Sequence, residues 1–218
     1  MTFSWILDNL PMIGELTVSH LFYTLLPTIV GLLISIPLGG VAYRCRRLYG
    51  VIVNISSVLY TIPSLALFVL LPRILGTKIL DPLNVIVALT VYSIALMVRE
   101  VADGLASVPR EVLDAAEGMG LTSMQRFFQV ELPVALPVLF GALRVVVVSN
   151  ISIVTVAALV GISQLGSLFT IGFSRRTFIP IIAGLVVCLM LALVLDKVIA
   201  VVGKAVTPWR EGRERKVA

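Results

Sequence analysis

Long apolar runs separated by short islands of charge set the pattern of this chain. Leu21–Tyr43, Val51–Leu71, Leu83–Val98 and Val145–Ile162 carry no charged side chain, and Phe178–Val202 carries only Asp196 and Lys197, near its end. A helix needs about 20 apolar residues to cross the hydrocarbon core of a bilayer. The pattern therefore predicts an all-α, polytopic membrane protein with about five transmembrane helices. Pro27 and Pro37 are expected to kink the first span. Pro63 lies at mid-depth in the second, within YTIPSLALF (Tyr60–Phe68), where Thr61, Ser64 or a neighbouring helix would satisfy the carbonyl that it frees. Residues 1–20, with Trp5, Asp8, Pro11 and Glu15, are too polar for a signal-peptide core. They read as an extracytoplasmic or interfacial lead-in, with Trp5 at headgroup level. Residues 21–202 then form the transmembrane domain, and residues 203–218 a basic cytoplasmic tail.

One island has internal order of its own. In DAAEGMGLTSMQRFFQVELP (Asp114–Pro133), a short helix is predicted with Pro109 near its start, where a missing N–H costs little. Glu111, Asp114 and Glu117 recur at helical spacing, with Val112, Leu113 and Ala116 on the other side. Gly118 and Gly120 tolerate the left-handed backbone at which helices often end. Thr122 and Gln125 then make a T-x-x-Q capping box for a second short helix. Met124, Phe127 and Phe128 share one face of that helix and want cover, and Pro133 and Pro137 are expected to end or bend it. This helix–turn–helix, about residues 106–133, is the place between spans where another protein would push.

Composition fits the pattern: 59% of residues are hydrophobic, 13% are charged, and the mean hydropathy is +1.07. A soluble domain carries about a quarter charged residues. The net charge of +5 would suggest nucleic-acid binding in a soluble protein, but no basic run is interleaved with aromatics. The positive-inside rule accounts for it instead. Of the 17 Lys and Arg, ten (Arg44, Arg46, Arg47, Arg110, Arg126, Lys204, Arg210, Arg213, Arg215, Lys216) fall in segments assigned to the cytoplasm and four (Arg73, Lys78, Arg175, Arg176) outside. Arg99, Arg144 and Lys197 sit at inner boundaries, Arg99 paired with Asp103 and Arg144 snorkelling to the interface. This predicts the N-terminus out and the C-terminus in. Residues Gly161–Ile179 read as an outside loop or re-entrant turn.

Chemistry of other kinds is missing. No phosphate-binding G-x-x-x-x-G-K-[ST], H-E-x-x-H or G-x-S-x-G occurs, so no catalytic residue is assigned. Cys45 and Cys188 lie far apart and His20 is alone, which predicts neither a disulfide framework nor a metal site and leaves His20 structural or interfacial. Polar groups inside the spans are the candidates for a solute path. They are Ser149, Asn150, Ser152 and Thr155 in one span, and Tyr60, Thr61, Pro63 and Ser64 in another. The first set equally suits hydrogen bonding between helices, and the second suits a proline kink whose backbone is satisfied locally.

The island resembles the EAA loop of ABC-importer permeases, E-A-A-x3-G-x9-I-x-L-P. Asp114 stands for the Glu, Ala115 and Ala116 match, Gly120 falls at the required spacing, and Val130, Leu132 and Pro133 close the pattern with Val in place of Ile. Together with YTIPSLALF and SNISIVTVAALVG (Ser149–Gly161), it is similar to permeases of osmoprotectant importers, which carry glycine betaine, choline or carnitine. After the fourth span the sequence departs from that family's A-L-I-G-A-G-G-L-G, since Leu159–Gly166 reads LVGISQLG.

The resemblance implies a type I importer permease with a five-span, methionine-permease-like plan. Its loop, Asp114, Ala115, Ala116, Glu117, Gly118, Gly120, Val130, Leu132 and Pro133, would carry a coupling helix that docks on a cytoplasmic ABC ATPase dimer. Asp114 would brace the loop through backbone N–H groups, and Gly120 would permit the turn. It also implies a second, identical or paralogous permease and an extracytoplasmic solute-binding protein. ATP and Mg would lie on the ATPase, with no cofactor in this chain. A methionine-type permease is the nearest alternative. An ion-gradient-driven carrier would need an acidic residue at mid-span, where none lies, and a scaffold would leave the EAA spacing unexplained.

Overall fold

The computed structural model describes residues 2–210. The side chains of Arg46 and Arg210, and the tail positions Arg213, Arg215 and Lys216, lie outside the described residues. The helices in order are α1 (Thr2–Asp8), α2 (Leu10–Arg44), α3 (Arg46–Thr61), α4 (Ser64–Leu75), α5 (Pro82–Ala106), α6 (Arg110–Gly118), α7 (Ser123–Arg126), α8 (Leu132–Val156), α9 (Ser167–Ser174) and α10 (Phe178–Val206). Four helical stretches are long and apolar enough to cross a membrane, and α3 with α4 makes a fifth.

The second half of the expected lead-in belongs to the first long helix. Helix α2 begins at Leu10, with Pro11 in its first turn, because Ile13, Leu16 and His20 continue its buried face below the expected start at Leu21. Trp5 packs on the cluster that contains Ile13, Leu16, Leu165 and Leu168. Along α2, small residues let α5 approach closely. A Cβ on Gly39 would stand 2.6 Å from Cβ of Val101, and one on Gly31 would overlap Cβ of Ser93.

The second span is broken rather than kinked: the axes of α3 and α4 differ by 104° at Ile62–Pro63. Three ties to α5 fix its course. The Tyr49 hydroxyl meets Asp103 Oδ1 at 2.7 Å, the Tyr92 hydroxyl donates to the Ile62 carbonyl at 2.6 Å, and the Thr77 hydroxyl donates to Asn84 Oδ1 at 2.6 Å. These partners fall near the end, the middle and the start of one uninterrupted helix, so α3 and α4 together cross the bundle once. The backbone at the break is therefore served by Tyr92, while the Thr61 hydroxyl turns back to the Val58 carbonyl at 2.7 Å.

Neither Pro133 nor Pro137 ends the helix that holds it. Phe127–Glu131 forms a π-turn, in which Leu132 N–H bonds to the Phe127 carbonyl. Pro133 then falls in the first turn of α8, so α7, the π-turn, α8 and a closing 3-10 turn (Ala157–Val160) run on as one stretch, Ser123–Val160, of 38 residues. The wider turn absorbs the residue whose N–H is missing.

Past α8 the chain turns back through residues 161–166 into α9. Gly161 has φ of +83°, Gly166 abuts the Thr155 carbonyl, and a Cβ on Gly184 of α10 would stand 3.0 Å from Leu168 Cβ of α9. Lower in the bundle, Arg144 does not snorkel alone. Its guanidinium forks onto Asp196 of α10 at 2.7 and 2.8 Å. Asp196→Asn should lower the melting temperature of the purified protein by leaving a cation without its partner, and Arg144→Leu with Asp196→Leu should recover part of the loss. Equal melting temperatures for wild type and Asp196→Asn would refute the pairing role.

Candidate functional site

The loop between α5 and α8 folds as two helices around a tight corner. Helix α6 ends in a Schellman motif: Leu121 N–H bonds to the Ala116 carbonyl at 3.2 Å and Gly120 N–H to the Glu117 carbonyl at 2.9 Å. Gly120 takes φ of +77°, whereas Gly118 stays within α6, so only one of the two expected glycines is left-handed. The capping box is present, with the Thr122 hydroxyl accepting from Gln125 N–H and the Gln125 side chain returning to Thr122 N–H. No atom lies within 4 Å of a Cβ placed on Gly120, so a substitution there acts through the backbone alone. Gly120→Val should destabilise the corner by about 1–2 kcal/mol, while Gly120→Asn, which tolerates this conformation, should keep the melting temperature near wild type.

The brace of the corner is not Asp114. That side chain is exposed and makes no hydrogen bond among the described residues. Arg126 does the work instead, bonding Glu131 Oε1 at 2.7 Å and pairing with Glu117 of α6. Glu131 is fully buried, and one of its oxygens has no partner among the described residues. Its hydrogen bond, with smaller contributions from its charge and from Glu117, holds Arg126 above the ordinary guanidinium value, on the loop outside the spans. Glu131 was the x of the motif pattern, and its only sequence signal was a carboxylate five residues from an Arg.

The loop is fastened to the bundle by its other face. Ala116 and Phe127 are buried, and Phe127 packs with Val101, Leu105, Ala135 and Leu139. Val130, Leu132 and Pro133 are half-buried where the loop joins α8. Arg44 at the end of α2 donates to the Ser123 carbonyl at 3.1 Å and lies 5.6 Å from the Phe127 ring centre. Met119, Met124 and Phe128 remain uncovered, at 73%, 64% and 57% exposure. The sequence placed Met124, Phe127 and Phe128 on one face, but the structure divides them into one anchor and two exposed apolar side chains. Ala115 is also exposed.

The path candidates separate in the same way. Asn150 is fully buried, and its amide donates to the hydroxyls of Thr28 and Ser93, both at 2.8 Å. It joins α2, α5 and α8, which is the helix-linking role. Ser152 is exposed and Ser149 half-buried. The Thr155 hydroxyl is spent on the Ser152 carbonyl at 2.6 Å. Gly141, Val145, Val148 and Ser152 form one exposed strip along α8. In the broken span Tyr60, Thr61 and Pro63 are exposed beside half-buried Ser64, and the Tyr60 ring packs edge-on against Tyr92 at 5.9 Å.

A second buried network was missed. The Gln164 oxygen meets His20 Nδ1 at 3.1 Å, its amide donates to the Val154 carbonyl at 2.8 Å, and the other His20 ring nitrogen meets the Ile151 carbonyl at 3.1 Å. Gln164 ties the turn after α8 to α2 and α8. No group of residues able to hold a metal occurs among the described residues.

Residues 19–209 match the family described as binding-protein-dependent transport system inner membrane component. The chain belongs to this family. The permease is 36% identical to the osmoprotectant import permease protein OsmW of Salmonella typhimurium, over 89% of this chain and 92% of that one. It is 33% identical to the choline transport system permease protein OpuBB of Bacillus subtilis, over 89% and 90%. Its fold matches that of the inward-facing MetNI methionine ABC transporter, with a TM-score of 0.82, 24% identity and 92% of this permease covered. The all-α importer-permease fold that the loop implied is the fold it has. The permease is an inner-membrane transport subunit rather than an enzyme.

Proposed function

We propose that the permease forms the membrane path for a small quaternary-ammonium osmoprotectant, such as glycine betaine, choline or carnitine, in an ATP-driven importer. It works with a cytoplasmic ATPase pair, a second permease, identical or paralogous, and an extracytoplasmic solute-binding protein. The loop Arg110–Glu131 faces the cytoplasm, the N-terminus lies outside and the C-terminus inside. The observation that carries the reading is a corner braced by Arg126 and welded to α2 and α5 that still exposes Met119, Met124 and Phe128. Apolar side chains held rigidly beyond the spans suit insertion into a partner's groove. The solute class is supported by relatives above 30% identity whose names specify osmoprotectants and choline, whereas the likeness to the methionine transporter is one of fold.

The test is uptake of radiolabelled glycine betaine, choline, carnitine and methionine into proteoliposomes that hold the assembled importer. ATP-dependent accumulation of a quaternary amine is expected. Accumulation of methionine alone would replace the solute, and uptake on an ion gradient without ATP would replace the mechanism.

A further inference from the structure

Between α5 and α8 lies a groove of about 340 Å³, at the low end of the size of small-molecule sites. Leu96, Pro137, Val138, Gly141 and Val145 form its walls and bring no side-chain donor or acceptor. The one polar side chain that reaches it is the carboxylate of Glu100. Its neighbour Arg99 is turned to Asp103, at 3.4 Å, and among the described residues Glu100 has neither an ion pair nor a side-chain hydrogen bond. The groove therefore sets an exposed carboxylate without a protein partner beside apolar walls, and it shares Gly141 and Val145 with the exposed strip of α8.

A quaternary ammonium group is the cation these walls suit. It has no N–H to satisfy, and its methyl groups gain from leaving water, so a wall without acceptors costs it nothing. An ammonium with N–H donors would find acceptors only at the Glu100 carboxylate and none along the walls. A zwitterion such as glycine betaine brings its own carboxylate, which Glu100 repels and which offsets the attraction at the nitrogen.

We infer that Glu100 is a specificity-determining residue of the permease path and favours quaternary amines with net positive charge over zwitterionic ones. The inference rests on the osmoprotectant reading proposed above. Selection by a solute-binding protein is the same for wild type and variant, so the comparison isolates the groove.

The experiment compares initial rates of choline and glycine betaine uptake for wild type, Glu100→Gln and Glu100→Asp in the assembled importer. Glu100→Gln should slow choline about tenfold, equivalent to about 1.4 kcal/mol, and leave glycine betaine within about twofold. Glu100→Asp, which keeps the charge, should retain most choline uptake. Glycine betaine serves as the internal control for folding and coupling. Equal loss of both solutes, no change in either, or a wild type that moves glycine betaine but not choline would overturn the role of Glu100 alone. A wild type that takes up neither would overturn the proposed solute class and this inference with it.

Discussion

Met124→Asp combined with Phe128→Asp should abolish coupled uptake while leaving insertion and the helical bundle intact. Neither side chain supports the fold, since both are more than half exposed, at 64% and 57%. On the proposed function both become buried against the ATPase, and two carboxylates in an apolar groove cost several kcal/mol. Every 1.4 kcal/mol is about tenfold in association, so uptake should fall by at least about a hundredfold. Copurification of the ATPase with the tagged permease and circular dichroism of the membrane-extracted variant separate lost docking from lost folding. Wild-type copurification by the double variant would place the docking surface elsewhere.

Gly31→Leu should act at the other extreme and prevent the bundle from forming. A Cβ on Gly31 overlaps Ser93, and the adjoining backbone of Ile94 and Thr90 lies 3.3 Å away, so no flexible side chain can yield. Overpacking of this kind costs about 1–3 kcal/mol for a few added methylenes and more where backbones must part. The separation would also break the bonds from Asn150 to Thr28 and Ser93, which link the same helices. Gly118→Leu is the control, because a Cβ there meets nothing within 4 Å. Folded yield measured by size-exclusion chromatography should collapse for Gly31→Leu and hold for Gly118→Leu. A monodisperse Gly31→Leu protein would show that α2 and α5 can separate.

What was legible in the chain is what local order encodes. Apolar runs gave the spans, and Thr122 and Gln125 gave the cap. The spacing from Asp114 to Pro133 gave the loop. Pro63 announced a disturbance but not a 104° break, because the size of a bend depends on what holds both halves, here Tyr92 and Asn84 on α5. Long-range pairs carry no periodic signal, so Arg144 with Asp196 and His20 with Gln164 could not be found. Asp114 was assigned the bracing role because the motif puts an acid there, yet Arg126 and Glu131 supply it from positions the motif leaves open. The helical start at Leu10 was within reach, since Ile13, Leu16 and His20 continue the α2 face.

The π-turn has a mechanical consequence. By carrying Pro133 without an elbow, it makes Ser123–Val160 a single rod, and 38 residues at about 1.5 Å each span roughly 57 Å. On the proposed function, a displacement delivered at Met124 would travel along this rod towards Gly161, gearing the two ends of the bundle together. Relative movement of those ends would then fall to the angular joint of Ile62 and Pro63 beside it.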